Sequence, residues 1–549
     1  MKARWRLALV LTLCLLLALP MSIVQGAKAE VPPPKVMGHV TVSGSAGTES
    51  LSPPSNSTTP GTWFVGATPP NADLSKPPIV FVQGMNGKAQ DWWSDTRYHG
   101  VNDMYELAYA NGYRTAFVQL YDAAGNGSAR PEDNGKLLAQ MLAQISAYFG
   151  QKVNIVAHSK GGPDTQAALV EYGAYPYVNK VVTLSSPHYG SDLANLAYSW
   201  WAGWLADLLR QHSPGVYSLQ TGEMEKYRQQ IDSNPNVSKN AYFTAAGDDW
   251  GPFMSALWFG GLYLSQYGAN DGMVNDWSAD LPYGRHLFTS HADHDSIRTG
   301  SASFSQIDPV LRTAAASSVV TTAAKPATQD TDPAADQTYV HGGPLTTGKT
   351  EVQTVPVETG LAQAVFAVLT KGSDVNVSLV SPSGKVYKKG NPVYSSGIDQ
   401  DFFKGATVQE FRVEKPESGN WQVRLSSSHD DAYLLTTMFS GGEAASFSVD
   451  LPRRWSRNAL PMSVRFKNPE KWDLAALQAQ VKVLTSADMK NKKTKGLQFS
   501  LKPTQGSALS GAFKGAEPGV YNFTIEVRGK TKQGSPFART IIRSVYIGN

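Results

Sequence analysis

The stretch Val153-Asn-Ile-Val-Ala-His-Ser-Lys-Gly-Gly162 constrains this chain more than any other. A short β-branched run reads as a buried parallel strand. It stops at Ser159, which has small residues two places away on either side, Ala157 and Gly161. A helical pattern follows over Asp164–Tyr172. A strand, a sharp turn and a helix with serine at the apex make a strained turn, and the helix must pack close to the strand. Bulky side chains flanking the serine would clash there. Ala157 stands where the tightest form of such a turn carries glycine. The pentapeptide alone is weak evidence, so the strand and helix around it carry the inference. The plainer reading is a serine in an ordinary strand-to-helix turn.

The pattern around this turn alternates strand with helix. Ile79–Val82 reads as a strand and Gln83-Gly-Met-Asn-Gly87 as a glycine-rich turn. Asn102–Asn111 reads as a helix, Thr115–Leu120 as a strand, and Asp133–Phe149 as a long helix with Leu137, Leu138, Met141, Leu142 and Ile145 at helical spacing. Lys180–Leu184 and Ala241–Ala245 read as further strands. Short apolar strands separated by helices predict a mostly parallel sheet covered on both faces.

The flanking regions have other textures. With 549 residues, the chain is too long for one ordinary core. Residues 1–29 combine Lys2, Arg4 and Arg6 with an apolar run, Leu7–Leu19, and a small-x-small site at Ala27-Lys28-Ala29. That is the layout of a cleaved signal peptide, with an uncleaved membrane anchor as the alternative. Residues 30–74 read as an extension containing one strand, Thr62–Val65. The catalytic unit is expected over 75–312, and a linker rich in Ala, Thr, Ser, Asp and Pro over 313–337. Alternating runs punctuated by turn signals predict one β-sandwich over 338–447 and an immunoglobulin-like β domain over 448–549.

Charge and cysteine usage narrow the function classes. The chain holds 49 Lys+Arg against 45 Asp+Glu. Lys2, Arg4, Arg6 and Lys28 account for that excess, so the processed chain is neutral, with no electrostatic case for a nucleic-acid partner. Cys14, the sole cysteine, lies in the apolar leader, so the processed chain is expected to hold no disulfide. A secreted protein of this size without disulfides suggests a bacterial source. No later segment offers a transmembrane span.

A serine hydroxyl needs a base to become a nucleophile, and the base needs an orienting carboxylate. On a sheet of this kind the order along the chain is serine, acid, histidine. Of ten histidines, only His286, His291 and His294 lie after such an acid and before the linker.

At these residues the chain resembles the secreted bacterial lipases of the α/β-hydrolase superfamily. The likeness rests on Pro78-Ile-Val-Phe-Val-Gln-Gly-Met85, the turn at Ser159, Leu184-Ser-Ser-Pro-His-Tyr-Gly-Ser191, and Asn270-Asp-Gly-Met-Val274 followed by His291-Ala-Asp-His-Asp295. It covers roughly residues 75–310. The resemblance implies Ser159 as nucleophile, Asp271 as orienting acid, His294 as general base, and an oxyanion hole built from the backbone N–H groups of Met85 and Lys160. Some lipases of this type bind calcium or zinc near the site, but the sequence offers no convincing ligand set, so neither metal nor cofactor is expected. The chain departs from the family at Gln83, where histidine is usual; backbone donors make this departure tolerable.

Alternatives stay open at this level. Asn-Asp-Gly at Asp271 is also a plain turn signal. Asp248 and Asp249 are rival acids and His291 a rival base. His291, Asp293, His294 and Asp295 could be mistaken for a metal cluster. His158 and His188 read as packing and hydrogen-bonding residues, and the Lys160 side chain as solvated. Leu193–Leu209, with Trp200, Trp201 and Trp204, reads either as a lid meeting lipid or as an internally packed cap.

The expected activity is hydrolysis of carboxylic esters of apolar acyl chains by a secreted lipase or esterase. A polyester depolymerase, a serine peptidase and a non-catalytic surface-binding protein are the rivals. The expected partner is a lipid or ester substrate, with contact at a lipid interface or particle surface.

Overall fold

The computed structural model describes residues 30–42, 58–125, 128–209, 213–253, 255–313, 337–399, 403–441, 444–456, 459–491, 496–504, 507–515 and 517–548. The expected leader, 1–29, and nearly all of the expected linker lie outside the described residues.

Eight strands build the first sheet: β1 (Lys35–His39), β2 (Thr62–Val65), β3 (Ile79–Val82), β4 (Thr115–Val118), β5 (Val153–His158), β6 (Val178–Leu184), β7 (Ala241–Gly247) and β8 (Arg285–Ser290). Their spatial order is β1-β2-β4-β3-β5-β6-β7-β8. The strands from β3 to β8 run parallel, and β1 and β2 close one edge antiparallel. The central strands are apolar because helices cover both faces: every residue of β3 and β5 is buried. The long helix Pro131–Phe149 starts with proline at its first turn, where a missing N–H costs nothing. It packs Leu138, Met141, Leu142 and Ile145 into the core shared with β5.

Two strands of this sheet escaped the sequence reading. In β8 only Phe288 is buried, so it lacks an apolar run, and β1 lies in the expected extension with its first three residues exposed. Both are edge strands.

The C-terminal region opens with β9 (Thr338–Leu345), β10 (Thr350–Val357), β11 (Gln363–Thr370), β12 (Asn376–Val380), β13 (Val386–Lys388), β14 (Tyr394–Ile398), β15 (Thr407–Glu414), β16 (Gly419–Ser426) and β17 (Asp431–Ser440). They form two antiparallel sheets, β10-β16-β12-β13 and β14-β15-β11-β17-β9. Trp421, Val423 and Leu379 of one sheet share a core with Phe366, Phe411 and Leu435 of the other. Then follow β18 (Phe447–Asp450), β19 (Arg454–Trp455), β20 (Ala459–Phe466), β21 (Gln478–Thr485), β22 (Leu497–Thr504), β23 (Ala508–Lys514), β24 (Gly519–Lys530) and β25 (Pro536–Ile547). These eight form one sheet around a separate apolar core. The fully buried pair Arg539–Glu358 links β25 to the residue that follows β10.

The described residues from 34 onward form a single compact unit. The first sheet's layer and the β region meet along the segment singled out for its tryptophans. Trp201 stacks on His341 with ring centroids 4.0 Å apart, donates through Nε1 to Glu526 at 2.8 Å, and lies 3.7 Å beneath the Lys482 ammonium. The Asn522 amide donates to the Asn195 carbonyl at 2.9 Å. Of the two readings left open for this segment, Trp200 and Trp201 follow the packed one: they lie in the turn between the helices Asp192–Ala197 and Gly203–Leu208 and pack against the main core, to which strands of the C-terminal region also contribute. Trp204 stays about half exposed, at 52%.

Candidate active site

The turn at Ser159 is built by close approach. Ser159 takes φ +53, a left-handed conformation that non-glycine residues rarely adopt, and its N–H donates to the Leu184 carbonyl at 3.0 Å. A Cβ on Gly161 would lie 2.5 Å from the Gln83 carbonyl oxygen and 3.0 Å from that of Val82. A Cβ on Gly84 would lie 2.8 Å from the Cβ of Ser159. Glycine is therefore required after the serine, at 161, and in the facing turn after β3, at 84, to let β3, β5 and the helix Gly161–Gln166 converge.

The end of β5, the Asn270–Gly272 turn in the long connection from β7 to β8, and the loop after β8 bring three side chains into line. His294 Nε2 lies 2.9 Å from Ser159 Oγ, and His294 Nδ1 lies 2.7 Å from Asp271 Oδ2. The other Asp271 oxygen accepts the N–H groups of Met273 at 3.0 Å and Val274 at 2.8 Å. Asp271 is wholly buried, so this hydrogen bonding compensates for the lost hydration of its carboxylate. Gly272 at φ +95 completes the Asn-Asp-Gly turn. Turn and carboxylate are thus one device: the turn aims Asp271 at the imidazole. An imidazole held this way can take a hydroxyl proton and return it.

The rival residues stand elsewhere. His291 is 82% exposed and pairs with the rival acid Asp248 at 3.2 Å. Asp293 binds His99 Nε2 at 2.6 Å and accepts the N–H groups of Asp295 and Ser296, capping the loop that carries His294. Among the described residues, no group of three or more histidine, cysteine or carboxylate side chains gathers as for a metal.

His158 donates from Nε2 to the His294 carbonyl at 2.8 Å, which fixes it as the neutral Nε2–H tautomer. Burial, followed by the neighbouring His294 and Arg298, holds its pKa well below the usual range. His188 is buried beside Thr183 Oγ1 at 3.1 Å. Both fit the hydrogen-bonding roles expected of them. Gln83 reaches β4, its amide nitrogen donating to Val118 O and its oxygen accepting from Leu120 N, each at 2.7 Å.

Among the described residues, neither the Met85 nor the Lys160 amide is engaged by a backbone carbonyl. One expectation for Lys160 fails outright. Its side chain is not solvated but fully buried, with Nζ 2.9 Å from Asp164 Oδ1 and 3.5 Å from Asp122 Oδ2. Burial alone would lower its pKa, but Asp122 and Asp164 together outweigh that and raise it. The spacing of Lys160 and Asp164 was visible in the sequence; the approach of Asp122 was not.

Comparison with known proteins identifies the family. Residues 76–186 match the family described as Lipase (class 2). The crystal structure of Bacillus licheniformis lipase BlEst2 in propeptide form is 34% identical, with a TM-score of 0.72, covering 89% of this chain and 98% of that one. The same lipase in mature form is 48% identical over 46% of this chain and 99% of that one, with a TM-score of 0.43. No protein with a curated description matches the chain significantly. By these likenesses the chain belongs to the bacterial lipases of the α/β-hydrolase superfamily, and it is a carboxylic ester hydrolase.

Proposed function

We propose that this protein is a secreted lipase or esterase that cleaves esters of apolar acyl chains through an acyl-enzyme. Ser159 attacks the ester carbonyl, and His294 takes the serine proton and hands it to the leaving alcohol. Water, activated by the same imidazole, then releases the acid. Asp271 keeps the imidazole in the right tautomer and stabilises its charged form. The Met85 and Lys160 amides receive the oxyanion, a role in which one donor is worth about 3 kcal/mol. The observation that carries this reading is the line from Ser159 Oγ through both nitrogens of His294 to Asp271, at 2.9 and 2.7 Å.

Secretion is supported by the basic, apolar and small-residue succession of residues 1–29. No helix among the described residues is long and apolar enough to cross a membrane. An apolar substrate is supported by the family likeness. The relative described in a propeptide form matches along nearly its whole length, which supports reading residues 338–549 as a propeptide lying over the hydrolase.

A panel of p-nitrophenyl esters of graded chain length, a triglyceride emulsion and a casein control tests the reading. Hydrolysis of esters but not casein is expected. Casein cleavage without ester turnover would sink it.

A further inference from the structure

A buried ionic cluster lies behind the serine turn, and the proposed mechanism makes no use of it. The Lys160 ammonium reaches both oxygens of Asp164, at 2.9 and 3.0 Å, and lies 3.5 Å from Asp122 Oδ2. Asn134 donates from Nδ2 to Asp122 at 2.6 Å and to Asp164 at 2.8 Å. The free oxygen of Asp122 accepts the N–H of Asn86 at 3.3 Å. Lys160, Asp122, Asp164 and Asn134 are all buried.

Stability is a poor reason for such a cluster. Two carboxylates and one ammonium lose their hydration together, and well-packed apolar residues of similar volume often do as well or better. The strain appears in Asp164, whose carboxyl burial and the nearby Asp122 push up to about 7 against the pull of Lys160.

The cluster's position suggests its use. Its members come from the turn after β3, the segment after β4, the helix Pro131–Phe149 and the serine turn itself. Asn86 sits at φ +56, an uncommon conformation for a non-glycine residue, and Met85 immediately precedes it. The cluster thus clamps one end of the Met85 loop to the residue that follows Ser159.

We propose that Lys160, Asp164 and Asp122 are positioning residues that hold the Met85 and Lys160 amides in fixed relation, so that the oxyanion hole is formed before the ester arrives. This rests on the reading of Ser159 as nucleophile and of those two amides as oxyanion donors. Preorganised donors matter because they need no reorganisation as charge develops. Loosening the cluster therefore lowers kcat and leaves ground-state binding of a small ester nearly unchanged.

The test uses the full chain with Lys160→Met/Asp164→Leu, which replaces the ion pair by apolar groups, and separately Asp122→Ala, which releases Asn86. Thermal unfolding, kcat and KM on p-nitrophenyl butyrate, and the rate at which a fluorophosphonate labels Ser159 are measured for each. The double variant, which leaves Asp122 buried without its cation, is expected to unfold at a lower temperature than wild type but, while folded, to lose about 10- to 100-fold in kcat and in labelling rate and to keep KM within about threefold. Asp122→Ala is expected to show the same split and decides the matter if the double variant does not fold. A folded double variant, or a folded Asp122→Ala, that keeps kcat within twofold overturns the proposal. So does a kcat loss matched by an equal rise in KM. If the wild-type chain is not labelled at Ser159, the nucleophile reading itself has failed, an outcome distinct from loss of the clamp alone.

Discussion

At the scale of the residue, the proposed chemistry depends on one hydroxyl and one imidazole. Ser159→Ala removes only the hydroxyl from a turn already built for small side chains. It is expected to fold normally by circular dichroism and to lose several powers of ten in esterase rate, because residues of such a unit act together. A folded variant with near wild-type turnover would remove Ser159 from the mechanism. The two histidines of the loop after β8 give a sharper contrast. His294→Ala should be as inactive as the serine variant. His291→Ala, at a site 82% exposed and paired only with surface carboxylates, should keep most of its rate. Steady-state assays of the pair check this, and the reverse order would move the base. Activity should also fall on acidification, since a protonated imidazole cannot accept the serine proton.

At the scale of the element, the site depends on how closely the helix Gly161–Gln166 approaches β3. The carbonyl oxygens that a Cβ on Gly161 would meet belong to the backbone of Val82 and Gln83, which cannot rotate away as a side chain could. Gly161→Ala must therefore part the helix from the strand. Overpacking of this kind typically costs 1–3 kcal/mol. The expected result is a lower melting temperature together with a kcat loss larger than that of an alanine placed on the far side of the sheet. Thermal unfolding and activity measured together check it; an unchanged melting temperature would mean that the approach is softer than the geometry requires.

At the scale of the whole molecule, the β region and the hydrolase share an extensive contact. Cutting the full chain at a protease site inserted between residues 314 and 336 should therefore leave both pieces eluting together on size exclusion. Separation without denaturant would show that the contact is weak. His341 lies within this contact, and burial, then Lys482 and Arg528, lower its pKa from 6.5 to about 4. A histidine with a depressed folded pKa binds its proton more readily when unfolded. Its neutral state therefore stabilises the fold above about pH 6.5, and that contribution is lost as the pH falls from there towards 4. Urea unfolding at pH 7 and pH 5 should show a smaller acid-induced loss in His341→Phe than in wild type. An equal loss in both would place the acid sensitivity elsewhere.

Much of the architecture and the three aligned side chains were legible in the residues. Apolar runs marked β3, β5 and β7 because parallel strands covered on both faces have no reason to be polar. The order serine, acid, histidine left several acids and three histidines open; the resemblance to the secreted bacterial lipases chose Ser159, Asp271 and His294, and the fold brings those three within hydrogen-bonding distance. Edge strands β1 and β8 carry no such signal, since a strand with a solvated face needs few apolar residues. The burial of Lys160 was illegible for a different reason. A lysine is ordinarily solvated, and it takes Asp122, arriving from a distant part of the chain, together with the nearby Asp164 to hold its charge out of water. The same holds for Trp200 and Trp201. Their apolar surface showed that something must cover them, by local chemistry alone. That β strands from the C-terminal region help to do so is decided by tertiary packing, because an apolar side chain states that it must be buried but not against what.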